Sequence, residues 1–61
     1  MDAKEIIKIL KSHGFIKKSQ KGSHEKYVKD TKTVIVPKHG KKDLPMGTIK
    51  SIEIQSGIKL K

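Results

Sequence analysis

Two turn sequences divide the middle of this chain and leave little choice of fold. Lys21-Gly22 and Asp30-Thr31-Lys32 are compact polar breaks between residues that suit strands. Gly22 can take positive φ at no steric cost, which a tight hairpin turn requires. The flanking segments are short: Phe15 to Gln20, Ser23 to Lys29 and Thr33 to Val36. The last is dense in β-branched residues, which fit a pleated surface. Pro37 is expected to end it, because proline cannot donate to a ladder. Breaks this tight join only antiparallel neighbours, since a parallel crossover needs a dozen residues or more.

Helical spacing flanks this meander on both sides. Ala3, Ile6, Ile7, Leu10 and His13 follow i, i+3, i+4 spacing, with Lys4, Lys8 and Lys11 on the other side. The spacing predicts a helix over 3–13. Asp2 is placed to accept from first-turn amides, and Glu5 completes a capping-box spacing. Gly14 suits a left-handed cap, with Phe15 folding back on the last turn. His13 is expected to face the C-terminal carbonyls rather than a substrate. A second helix is predicted from Pro45 to Ser56, closed by Gly57. Ile49 and Ile52 share a face, Ile54 is out of phase, and Glu53 stands where an apolar residue belongs. Residues 58–61 read as a frayed tail. The order helix, three strands, helix implies an α+β layer, with two helices packed on one face of a three-stranded antiparallel sheet. Residues 1–61 read as one domain.

A 61-residue domain buries only about 60% of its unfolded surface, so its core must be economical. Cysteine is absent, which excludes disulfides and thiolate metal sites. No apolar run approaches the ~20 residues of a membrane span. The N-terminus lacks a signal-peptide h-region. A soluble cytoplasmic protein with no membrane partner is the expectation. The formal net charge is +9, all of the positive charge is lysine, and there is no arginine. Such an excess suits a polyanionic partner, nucleic acid or an acidic protein. Lysine lacks the rigid fork that reads guanine edges, so backbone contact is expected rather than base readout.

Strand alternation sorts the candidate residues. Val34 and Val36 point inward and Ile35 outward. Tyr27 and Glu25 share one face, and His24, Lys26 and Val28 the other. With Tyr27 in the core, His24 is exposed beside Lys26. Imidazole titrates nearest neutral pH. A histidine in a positive field can take a proton while cations hold a phosphate, which is the chemistry of polyanion cleavage. Surface histidines in a lysine-rich protein would give the same composition. Lys21, Lys26, Lys38, Lys41 and Lys42 are candidate phosphate contacts. If the polyanion is RNA, its own 2′-hydroxyl can attack the adjacent phosphate, and the protein need supply only proton transfer and charge stabilisation. His24 is the candidate general acid/base. His39 is a possible second one, although a loop histidine bonded to backbone is the simpler reading. Ser23 has no evident triad partner and shapes the turn, as Gly22 does. Tyr27 could stack a base, but a core position suits it better. The three histidines lack ligand spacing, so neither metal nor other cofactor is expected.

Several stretches together carry a family resemblance. They are Lys4-Glu5-Ile6-Ile7-Lys8-Ile9-Leu10-Lys11, Gly14-Phe15, Gln20-Lys21-Gly22-Ser23-His24, Val34-Ile35-Val36-Pro37, His39-Gly40-Lys41-Lys42-Asp43-Leu44 and Gly47-Thr48-Ile49-Lys50-Ser51-Ile52. In this order the chain resembles the HicA toxins, small ribonucleases of HicAB toxin–antitoxin systems. The resemblance implies a double-stranded-RNA-binding-like α-β-β-β-α fold. It implies metal-independent cleavage of mRNA and neutralisation by a HicB antitoxin. It also implies that the catalytic histidine is His24, in the Gly-Ser-His turn. Two departures stand out. Many relatives carry a second histidine where this chain has Glu25. Near the C-terminus, relatives more often read Ser-Ile-Leu-Lys-Gln-Ala-Gly, against Ser51-Ile52-Glu53-Ile54-Gln55-Ser56-Gly57 here.

Overall fold

The computed structural model describes residues 1–38 and 42–60. Their order is α1 (Ala3–Ser12), β1 (Ile16–Lys21), β2 (His24–Lys29), β3 (Lys32–Pro37) and α2 (Met46–Ser56). The strands form one antiparallel sheet in the order β1-β2-β3. This is the α-β-β-β-α arrangement of a double-stranded-RNA-binding-like fold.

Each helix begins and ends for local reasons. The Asp2 carboxylate accepts the Glu5 amide at 2.9 Å, so one orphan donor of the first turn is satisfied. His13 caps the end of α1, and its Nδ1–H donates to the Ile9 carbonyl at 2.9 Å. That is the orientation expected from its position. Phe15 folds back as expected: its amide donates to the Leu10 carbonyl at 3.0 Å and its ring is buried. Helix α2 starts one residue after Pro45 and closes on Gly57 in the left-handed conformation.

The core is what strand alternation and helical spacing dictate. Ala3, Ile6 and Leu10 of α1 and Ile49 and Ile52 of α2 pack on Tyr27, Val34 and Val36. Ile35, on the opposite face of β3, is exposed. One face of the sheet is therefore covered by both helices and the other is open. Helix α2 also guards the free edge of β3, where Gln55 Oε1 accepts the Ile35 amide at 3.2 Å.

Two expectations need correcting. Pro37 does not end the pairing: it sits in β3 opposite His24, and the Lys38 amide donates to the Ser23 carbonyl at 2.6 Å. The Ile35 amide points outward from this edge strand, and so would an amide two residues on. Proline therefore costs the ladder nothing at this position. The tail is not frayed through residues 58–60. Leu60 is buried at 6% exposure, and its amide donates to Glu53 Oε2 at 2.7 Å. Glu53, where an apolar side chain was expected, instead serves as the acceptor that docks the tail.

Candidate functional site

The β1–β2 hairpin is closed by the facing pair Lys21 and His24, with only Gly22 and Ser23 between them. Gly22 has φ +59°, whereas Ser23 stays out of the left-handed region. Positive φ at the first central residue alone is the pattern of a II′ hairpin turn, whose twist matches that of its strands. Gln20 braces the turn by donating from Nε2 to the Gly22 carbonyl at 3.0 Å. His24 is thus the first residue of a paired strand, between Lys21 on β1 and Pro37 on β3. Its backbone is held by neighbours on both sides, while its side chain stands on the open face.

A cleft of about 640 Å³ lies there, lined by Ser19, Lys21, Gly22, Ser23, His24, Lys26 and Ile35. Of the candidate site residues, His24, Lys21, Gly22, Ser23 and Lys26 come together in it. Ser19 and Ile35 were not singled out beforehand. Alternation already placed Ile35 on the His24 face, and Ser19 is the partner of Lys26 across the hairpin. Among the described residues no group hydrogen-bonds the His24 imidazole, which lines this cleft. The cleft combines a proton-transfer group, two ammonium groups and an aliphatic floor. That set can seat a phosphodiester with its sugar and base.

Lys38 lies elsewhere. Its ammonium stands 3.7 Å from Glu25 Oε2, on the helix-covered side of the sheet. Together with Lys4, Lys11 and Lys17 it rims a smaller cleft of about 290 Å³ beside α1. Lys42 is exposed and does not line the His24 cleft. Lys41 and His39 fall outside the described residues. Among the described residues, no three His, Cys, Asp or Glu side chains stand close enough together to hold a metal ion. No helix of the described residues is long and apolar enough to cross a membrane.

Directly behind His24, Glu25 is buried at 4% exposure on the inner face. The Tyr27 hydroxyl donates to its Oε1 at 2.7 Å, and Lys17 Nζ stands 3.7 Å from the same oxygen. The Tyr27 hydrogen bond, aided by both lysines, holds the Glu25 carboxyl below its ordinary range despite burial. Burial, and then the adjacent carboxylate, push the Tyr27 phenol up to about 12.

This fold and hairpin agree with a comparison against known families. The family model for the HicA toxin of bacterial toxin–antitoxin systems matches residues 3–58. Neither curated proteins nor solved structures gave a match. The match spans both helices and all three strands, so the chain belongs to the HicA toxin family.

Proposed function

We propose that this toxin is a metal-independent endoribonuclease that cleaves mRNA in the cytoplasm with His24 as general acid/base. A HicB-type antitoxin neutralises it by covering the same cleft. The observation that supports this reading is the exposed imidazole of His24 on a hairpin turn, in one cleft with Lys21 and Lys26.

In this reading His24 takes the proton of the ribose 2′-hydroxyl. The freed oxygen attacks the adjacent phosphorus, the bond from phosphorus to the 5′-oxygen breaks, and that oxygen takes a proton from solvent. The products are a 2′,3′-cyclic phosphate and a 5′-hydroxyl. Lys21 and Lys26 offset the charge that builds on the phosphoryl oxygens. A well-placed general base supplies about 10²–10⁴-fold. Gly22 and Ser23 fix the turn and present backbone to the RNA.

The antitoxin reading follows from charge. A lysine-rich surface draws an acidic partner by electrostatic steering, so added salt slows association more than it speeds dissociation. RNA and antitoxin then compete for one face, and inhibition needs no conformational switch.

The test is incubation of RNA with the wild-type protein and with His24→Ala, in excess EDTA. Cleavage by wild type alone, leaving cyclic or 3′-phosphate ends, is the expected result. Activity retained by a folded His24→Ala protein removes His24 from the mechanism. Products with 5′-phosphate ends, or activity restored only by Mg²⁺, exclude the 2′-hydroxyl route. Binding without cleavage by wild type would make the protein an RNA-binding module.

A further inference from the structure

Glu25 is buried on the inner face directly behind His24, and the site described above gives the residue no part in the chemistry. Its surroundings give it one. From Oε1, a chain of contacts runs along β1: Lys17 Nζ at 3.7 Å, then Lys17 donating to Gln20 Oε1 at 2.6 Å, then Gln20 Nε2 donating to the Gly22 carbonyl. From Oε2, a second runs along β3: Lys38 Nζ at 3.7 Å, and the Lys38 amide donating to the Ser23 carbonyl. The two carbonyls so held are those of the two turn residues immediately before His24. We propose that Glu25 is the positioning residue of the His24 site, a buried carboxylate that fixes the catalytic turn from both neighbouring strands. The proposal rests on the reading of His24 as the acid/base group.

Two observations favour positioning over plain structural burial, beyond the general point that ion pairs to half-exposed lysines stabilise little. The β1 arm depends on a bulge. The register shifts between Lys17 and Ser19, which brings Lys17 and Gln20 to the same face although they are three residues apart. Finally, every buried polar side-chain atom among the described residues has a partner, so the buried end of the network, the Tyr27–Glu25 pair, can hold one geometry.

On this proposal Lys38, whose half-exposed ammonium stands 3.7 Å from Glu25 Oε2, contributes to the turn rather than to a phosphate.

The decisive comparison uses Glu25→Gln, Gln20→Leu and Lys38→Met, with steady-state cleavage kinetics and amide hydrogen exchange. Glu25→Gln is expected to lower kcat about tenfold with KM within about twofold. The Lys38 amide should exchange faster while the Val36 amide stays protected. Gln20→Leu, at an exposed position, is expected to lower kcat severalfold without loss of stability, which keeps the test valid if Glu25→Gln does not fold. Lys38→Met should lower kcat and add little on top of Glu25→Gln, as members of one network do. Unchanged kcat in Glu25→Gln and Gln20→Leu overturns the proposal. So does a Lys38→Met protein with raised KM and a shallower salt dependence, the mark of a phosphate contact. If the wild type does not cleave RNA, the catalytic reading fails on its own. Lys38 amide exchange in Glu25→Gln then still decides whether the carboxylate holds the turn.

Discussion

The Tyr27 hydroxyl donates to Glu25 Oε1 at 2.7 Å, with both residues inside the protein and two positions apart on β2. This pair makes stability depend on pH from both sides. The Glu25 carboxyl is held below its ordinary value of 4.5, so its contribution is complete above that value and disappears as pH falls through the lower folded value. Tyr27 is raised from 10.0 to about 12, so its contribution is complete below pH 10 and is lost as pH rises through that window. The alkaline loss is about 1.4 kcal/mol per pH unit. Urea midpoints measured from pH 3 to 12 should show a plateau with both limbs. Tyr27→Phe should remove the alkaline limb, and an alkaline limb unchanged in that variant would dissociate it from this pair.

Gly22→Ala tests the turn without a steric clash, because a Cβ at Gly22 meets nothing within 4 Å. The cost comes from φ +59° alone and is expected to be about 1–2 kcal/mol. Asp30 holds φ 54° at the equivalent place in the β2–β3 turn, so this sheet accepts a short polar side chain in that conformation. Gly22→Asn should therefore cost less than Gly22→Ala. Equal losses in thermal denaturation would mean that something other than backbone conformation constrains Gly22.

Lys26 and Lys21 can be assigned to phosphates by salt dependence. With His24→Ala as the background, RNA is expected to be bound and not cut. Each lysine that contacts a phosphate of single-stranded RNA steepens the plot of log affinity against log salt by about 0.7. Lys26→Gln and Lys21→Gln should each flatten it by about that amount. Lys50→Gln, on α2, should leave it unchanged. Three equal slopes would show that the cleft lysines act only through overall charge.

Leu60→Ala tests the docked tail. Leu60 is buried in the core cluster, and truncating a buried leucine costs about 2–5 kcal/mol. A chain-end position that can collapse around the change belongs at the low end of that range. Glu53→Ala removes the acceptor of the Leu60 amide and should lose part of the same stability, with the double variant less than additive. Strictly additive losses in urea denaturation would separate the two.

Much of this molecule was legible before its structure. Periodicity placed Ala3, Ile6, Leu10, Tyr27, Val34, Val36, Ile49 and Ile52 in the core, and they are buried. Strand alternation alone put His24 and Lys26 on the face opposite Tyr27, because successive strand side chains must alternate. Helix caps and turns followed from Asp2, Gly22 and Gly57, whose conformational preferences are local. What tertiary structure decided is the partner of each polar group. Lys38 sat among five candidate lysines, and nothing in its local sequence tells an ammonium that meets a buried carboxylate from one that meets solvent. The bulge at Lys18 turned Lys17 to the inner face, and bulges depend on pairing between strands rather than on either strand alone. Glu53 and Leu60 were misread for the same reason. An acid on a helix and an apolar residue in a tail look unfavourable separately, and their single hydrogen bond exists only once the tail lies against α2. Local preferences set the elements and their faces, and long-range contacts set which charges are satisfied and which remain free for a ligand.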